Sequence, residues 1–319
     1  MEDKEEKEHQ LVFGPVPSRR LGSSLGINNI PPKNCTYSCI YCQVGATTSM
    51  DLHRREFFET ERIVKEVEER LDSIREKGER VDYATFVPDG EPTLDRNLGR
   101  SVEGVSELNI DTAVISNGSL LWMEDVREEL LNADLVSVKV DSVDPGLWRK
   151  VNRPNARLDL TRILDGIGRF ADVFEGRLLT ETMLVRDVND GEGDLSQVAE
   201  FLSGIGPDTA YISIPTRPPM ENWVESPRHE AVHNAYSIMK EKVGSVGMLT
   251  GPEGNSFQIY GELKDELGGI TSVHPIRESS MNEILKKYGG SMELVEEMVE
   301  EGVMERKVLE GETFYTKSR

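Results

Sequence analysis

The stretch NCTYSCIYCQVG, residues 34–45, contains every cysteine of this 319-residue chain: Cys35, Cys39 and Cys42, spaced C-x3-C-x2-C. Three cysteines cannot make a disulfide framework, and their clustering suits metal binding in a reducing, cytoplasmic setting. Three thiolates can ligate three irons of a cubane cluster. They can equally fill three positions of a tetrahedral zinc whose fourth ligand is water or His53. The stretch alone leaves both open.

Its surroundings decide the fold. The preceding residues, SSLGINNI, read as a strand. After the cysteines, TERIVKEVEERLDSIREKG places Ile63, Val67, Leu71 and Ile74 at helical spacing with charges between them. Further strand patterns fall on VDYATFVP, IDTAVIS, ADLVSVKVD, GRLLTETMLV and TAYISIP, with helical segments between, one of them near 157–174. Six strands alternating with helices predict a parallel α/β architecture with right-handed crossovers, its active site at the carboxyl ends of the strands. Periodicity alone also allows an open doubly wound sheet.

Past residue 250 the pattern changes. GPEGNSFQIYG is Gly-rich, SSMNEILKKYG and SMELVEEMVEEG read as short helices ending at glycine, and VMERKVLEGETFYTKS reads as a hairpin turning at Glu310-Gly311. The expected organisation is a disordered acidic tail over 1–10, a core domain over 11–250, and a linker with a winged-helix-like domain over 251–319.

Charge narrows the partners. With 37 basic and 58 acidic residues the formal net charge is −21, which opposes a broad polyanion-binding surface. Glu293, Glu296, Glu297, Glu300 and Glu301 on the second C-terminal helix would repel phosphates, so nucleic acid is a disfavoured partner and protein docking or a structural role a favoured one. No apolar run approaches the ~18 residues of a membrane span, and no apolar segment follows the charged start.

C-T-Y-S-C-I-Y-C resembles the cysteine loop of the radical S-adenosylmethionine superfamily, including Tyr41 before the last cysteine. Further segments resemble it in order. Gly90, Glu91 and Pro92 match a Gly-Gly-Glu-Pro segment, with Asp89 in place of the first glycine. Ser116, Asn117 and Gly118 resemble a Thr-Asn-Gly turn. Ser137, Lys139 and Asp141 share one face of the fourth strand, where the family contacts ribose and carboxylate of its cofactor. Taken singly, these residues also read as a turn and helix start, a common turn and a barrel rim; Glu181 and Met183 on the fifth strand read equally as packing.

The resemblance, over roughly residues 20–215, implies a partial (β/α)6 barrel. It implies one [4Fe–4S] cluster on Cys35, Cys39 and Cys42, with the fourth iron open to S-adenosylmethionine. It further implies reductive cleavage to a 5′-deoxyadenosyl radical that abstracts hydrogen from substrate, and an electron donor such as ferredoxin or flavodoxin. Gly90 would let the backbone approach a ligand, Glu91 would accept from the cofactor's ammonium, and Tyr41 would lie beside adenine.

A narrower resemblance lies in FGPVPSRRLGSSLGINNIPPKNCTYSCIYCQVG, which is similar to Fe–S oxidoreductases grouped with the tRNA wyosine synthases. Those carry a second cluster on three further cysteines and a lysine that holds pyruvate. Here no cysteine remains for a second cluster and no such lysine is evident. Peptide or protein modification, a tRNA base and a small metabolite therefore stand as alternative substrates, and a non-catalytic Fe–S or zinc regulator as the alternative from another class. Candidate substrate contacts are Arg19 and Arg20 before the loop, Arg149, Lys150, Arg153 and Arg157 after the fourth strand, and Arg217 and Trp223 in a proline-rich segment over the barrel mouth.

Overall fold

Short, mostly buried apolar runs form strands whose order in space follows their order in the chain. In the computed structural model, which describes residues 10–251, 254 and 257–318, the first half runs β1 (Val12–Ser18), β2 (Gly22–Ile27), a two-residue pair β3 (Asn34–Cys35) and β4 (Ser49–Met50), α1 (Thr60–Glu76) and β5 (Tyr83–Phe86). It continues α2 (Leu98–Ser106), β6 (Asp111–Ser116), α3 (Glu124–Leu130), β7 (Leu135–Lys139), α4 (Pro145–Asn152), α5 (Leu160–Ala171) and β8 (Arg177–Met183). Then come α6 (Glu192–Ile205), β9 (Thr209–Ser213), α7 (His229–Lys242) and β10 (Val246–Leu249). Apart from Gln10, the expected acidic tail lies outside the described residues.

These strands form one open, curled sheet of eight in the order β1-β2-β5-β6-β7-β8-β9-β10, a half-barrel. Every pairing from β2 to β10 is parallel; only β1 runs antiparallel, against β2. The six expected strands are present and each edge gains one more. The sequence hides β1 because Gly14, Pro15 and Pro17 interrupt its alternation, which an edge strand tolerates. The four residues of β10 are too few to show a period. Arg19, on the turn after β1, donates to the carbonyls of Leu249 (2.6 Å), the last residue of the opposite edge strand, and of Gly251 (2.7 Å) just past it, clasping the two margins of the sheet together.

Helices cover the outer face as their spacing requires. On α1, Ile63, Val67, Leu71 and Ile74 are buried together. The helix expected near 157–174 is α5, and the same crossover holds an earlier helix, α4, which ends where Arg153 takes a left-handed conformation (φ 44°) and Pro154 follows it.

The C-terminal chain adds α8 (Leu263–Val273), β11 (Ile276–Arg277), α9 (Glu278–Tyr288), α10 (Met292–Glu300), β12 (Met304–Leu309) and β13 (Glu312–Lys317), the strands ordered β11-β13-β12. Glu310 and Gly311 both have positive φ, 52° and 84°, as the tight turn of a two-residue hairpin demands. A second apolar core, including Leu267, Ile270, Met281 and Val295, also takes in Phe13 and Val16 of β1, which seats this unit on the half-barrel. Among the described residues no helix is long and apolar enough to cross a membrane.

One buried carboxylate makes folding pH-dependent. Asp95 is fully buried and accepts from the Asn97 N–H (2.9 Å) and Asn29 Nδ2 (3.2 Å). Burial, which outweighs these bonds and the nearby Arg54 charge, pushes its pKa up to about 7. Between pH ~4 and ~7 the native protein holds a proton that the unfolded chain has released, so this group's contribution falls as pH rises through that window. Asp95→Asn is expected to remove that slope, so that, whatever constant loss its NH2 suffers facing the Asn29 amide, the variant gains on the wild type by on the order of 2–3 kcal/mol between pH 5 and 8. Urea unfolding of both proteins from pH 5 to 8 checks it; a variant that does not gain on the wild type as pH rises sinks the assignment.

Candidate active site

The cysteine loop is held on three sides. At its start Asn34 and Cys35 pair with Ser49 and Met50, and Asn34 also bridges to Gly90. Along its outer side Ser38 N donates to Asn152 O (3.0 Å), Ile40 N to Val151 O (2.9 Å), and Asn155 N to Thr36 O (2.9 Å). Beyond Ile40, the Glu221 N–H closes on the Ile40 carbonyl at 3.0 Å. All three cysteines line one open cavity of about 300 Å³ in the half-barrel. Side-chain amides point at two of the sulfurs: Asn117 Nδ2 lies 3.5 Å from Cys35 Sγ, and Asn152 Nδ2 lies 3.4 Å from Cys39 Sγ. Burial pushes all three thiols up, Cys39 to about 12 with the Asp141 charge adding to the shift.

Gly90 and Glu91 fasten this loop. A Cβ on Gly90 would stand 2.0 Å from Asn34 O and 2.8 Å from Ile30 Cδ1. The close approach this glycine permits is therefore to the backbone beside Cys35. The buried Glu91 carboxylate accepts from Thr93 Oγ1 (2.6 Å), Thr93 N (3.2 Å), Ser116 Oγ (2.7 Å) and Asn117 N (2.7 Å). Burial holds its pKa above the usual carboxylate range in spite of these bonds. It ties the Gly-Glu-Pro loop to the Ser-Asn-Gly turn, and through Asn117 to Cys35 and to Thr36 Oγ1 (2.8 Å). Pro92 is buried and its carbonyl accepts from Asn29. Asp89, also buried, sits 3.0 Å from the Lys33 ammonium; burial raises its pKa and Lys33 opposes the rise.

The opposite wall is charged. Glu181 receives Arg20, Lys139 (3.1 Å) and Ser213 Oγ (2.8 Å). Burial opposes its ionisation, but the Arg20 and Lys139 charges win and depress its pKa well below the usual range. Burial likewise works against the Lys139 ammonium; Asp141 (3.6 Å) and Glu181 outweigh it and keep the pKa above the ordinary lysine value. Lys139 Nζ lies 4.8 Å from the Tyr41 ring centroid, and Tyr41 OH donates to Asp141, which also accepts from Asn152 (2.7 Å) and the Met183 N–H (2.8 Å). Ser137 Oγ accepts from Arg20 at 3.3 Å.

Of the residues singled out in the sequence, Tyr41, Gly90, Glu91, Ser116, Asn117, Lys139, Arg19, Arg20 and Arg217 meet the three cysteines around this cavity. Ser137 and Asp141 stand behind it, hydrogen-bonded to Arg20, Tyr41 and Met183 that line it, and Pro92 follows Glu91 away from it. Arg20, placed in the sequence next to the loop, instead pairs across the barrel with Glu181. Arg217 donates to Gln43 Oε1 (2.6 Å) and meets the His274 ring, while Gln43 Nε2 donates to Val273 O (3.0 Å), so the C-terminal unit is tied to the residue after Cys42. Arg149, Arg153 and Trp223 do not line the cavity; they lie on the outer side of the loop, because α4 has already turned away from the strand ends. Asn152, Lys33, Gln43 and Ser213 were not singled out. Nothing local marks them: Asn152 reaches Cys39 across 113 positions of sequence.

Comparison with known proteins now bears on this geometry. Residues 29–202 match the Radical SAM superfamily, more than half of the chain. The chain belongs to that superfamily. The UPF0026 protein MJ1312 of Methanocaldococcus jannaschii is 44% identical over 310 residues, 97% of this chain and 96% of that protein. A Brachyspira hyodysenteriae protein named GTPase Obg is 31% identical over 301 residues, which span 90% of this chain but 44% of that longer protein. This chain has no Gly-Lys pair and so no P-loop of the Gly-x4-Gly-Lys type. Among solved structures, a radical SAM methyltransferase from Sphaerobacter thermophilus superposes with a TM-score of 0.54 at 16% identity, over 71% of this chain and 66% of that one, a likeness of fold. Radical SAM enzymes use S-adenosylmethionine, an Fe–S cluster, an external electron donor and a substrate; this radical SAM chain presents its cysteines to the interior of the half-barrel.

Proposed function

We propose that Cys35, Cys39 and Cys42 hold a single [4Fe–4S] cluster and that the facing wall binds S-adenosylmethionine. The observation that carries this reading is the convergence of three thiols and a charged wall on one cavity. The donor set fits: three soft thiols and two amide N–H groups aimed at sulfur suit iron–sulfur ligation. Four ligands on one zinc would crowd within about 4 Å of each other; among the described residues no group of three His, Cys, Asp or Glu is placed to hold one metal ion. When bound, cluster and cofactor together supply one-electron cleavage of a carbon–sulfur bond and a radical able to abstract hydrogen.

The chain's own residues position and enclose. The Glu91 clamp fixes Asn117 against Cys35. Glu181, Lys139 and Arg20 offer fixed charges of both signs to an amino-acid and ribose moiety, and Tyr41 offers a ring face. Raised thiol pKa values mean that loading releases protons, so cluster assembly is favoured at higher pH. A wyosine-type lysine adduct finds little support. Among the described residues the lysines lining the cavity are Lys33, paired with Asp89, and Lys139, whose ammonium is stabilised where an imine-forming amine needs the reverse. Peptide, tRNA base and small metabolite remain the substrate classes. The order of the C-terminal unit, helix-strand-helix-helix-hairpin, supports its reading as a winged-helix-like domain. Ferredoxin or flavodoxin in a reducing cytoplasm would supply the electron.

Anaerobic reconstitution followed by iron and sulfide analysis tests the site. The expected result is about four irons and four sulfides per chain, lost in Cys39→Ala; a chain that takes up zinc alone refutes it.

A further inference from the structure

The outer side of the cysteine loop carries a surface unlike the rest of this acidic protein. Asn152, whose amide touches Cys39 Sγ, is the last residue of α4. Immediately around it, Arg149, Lys150, Arg153 and Arg157 are all exposed. Arg153 pairs with Glu221 and Arg157 stands 3.6 Å from Asp51, but among the described residues neither Arg149 nor Lys150 has an acidic partner. Two exposed apolar side chains flank the arginines. Trp223, 51% exposed, sits two residues after Glu221, and Met50, 38% exposed, has its carbonyl bonded by Asn155 Nδ2 at 3.3 Å.

A helix C-terminus attracts cations for its own sake, which accounts for Arg149 and Lys150 alone. It does not account for an exposed tryptophan near Arg153 and an exposed methionine against Asn155, residue types that anchor protein contacts. Nor does it explain why this patch backs directly onto a cysteine. On a chain of net charge −21, exposed cations without acidic partners give an acidic protein a local attraction that the net charge opposes.

We propose that this face docks an acidic one-electron carrier protein, which delivers its electron through Asn152 and the loop backbone to the cluster side of Cys39. The proposal rests on the reading of the cysteines as a cluster site. One electron leaves the reduced carrier and enters the cluster; no proton or group is transferred.

The test uses the reconstituted protein and a reduced acidic flavodoxin, with photoreduced 5-deazaflavin as a small reductant. Two quantities are read: flavodoxin affinity by calorimetry, and the rate of cluster bleaching in a stopped-flow instrument. Arg149→Glu/Lys150→Glu is expected to weaken binding and slow bleaching by flavodoxin roughly 10-fold at low salt, an effect that shrinks at several hundred millimolar salt. Trp223→Ala is expected to weaken binding with the salt dependence kept. Bleaching by deazaflavin should stay at the wild-type rate in both. Unchanged flavodoxin binding and rate in both variants, with deazaflavin still effective, overturn the docking face alone. Slowed bleaching by both reductants also overturns it, assigning the residues to the site's integrity. If deazaflavin bleaches nothing even in the wild type, the cluster reading itself has failed.

Discussion

Gly90→Ala is expected to lower stability by about 3 kcal/mol and to leave the protein unable to retain a full complement of iron. The added methyl would overlap Asn34 O at 2.0 Å and crowd Ile30 Cδ1 at 2.8 Å. The first of these is backbone and cannot rotate away. Asn34 O also accepts the Glu91 N–H at 3.0 Å, so relieving the overlap breaks that bond and moves the residue before Cys35. Effects on stability and on ligation should therefore appear together. Thermal unfolding of the iron-free protein and iron content after reconstitution measure the two separately. A variant with wild-type values of both would show that this glycine has slack the geometry denies it.

The second large effect is at Glu91. Glu91→Ala removes the acceptor for four donors, three of them on Thr93 and Ser116 and the fourth the Asn117 N–H. Stranding buried donors costs about 1–3 kcal/mol each before relaxation, so a net loss of about 3 kcal/mol is expected. Glu91→Gln is the sharper probe. Its amide oxygen can serve the three donors at one carboxylate oxygen, but its NH2 would face the Asn117 N–H, two donors opposed. A loss of about 2 kcal/mol is expected even for this near-isosteric change, with Asn117 displaced from Cys35. Denaturant unfolding reads the stability. If glutamine substitutes without cost, the carboxylate is free for another partner and its role as a clamp is wrong.

The pattern of what the sequence disclosed follows from chain distance. The six central strands were legible because buried parallel strands are continuous apolar runs bounded by turn residues. The Glu310-Gly311 hairpin was legible because its turn needs residues that accept positive φ. β1 was not, since Pro15 and Pro17 read as breaks until an antiparallel edge partner is known. The cysteines were marked as a metal-binding set by their clustering, whereas the hydrogen bonds and packing of Glu91 and Gly90 had no local mark. What the sequence does not disclose is how each is held: Glu91 accepts from Thr93, Ser116 and Asn117, and Gly90 lies against Asn34 O. Arg20 shows the same limit: adjacent to the loop in sequence, it is bound across the barrel to Glu181, 161 positions away. Asn152 and Gln43, which support the loop through side-chain amides, carry no local mark because polar residues at a helix end or after a cysteine are common.

The central claim is that three cysteines on one cavity make this chain cleave S-adenosylmethionine by one electron. The most direct measurement is 5′-deoxyadenosine formed by the anaerobically reconstituted, reduced protein, quantified by liquid chromatography beside a Cys39→Ala control. 5′-Deoxyadenosine is expected from the wild-type protein and only background from the variant. Equal background from both, with an intact reduced cluster present in the wild type, would contradict it.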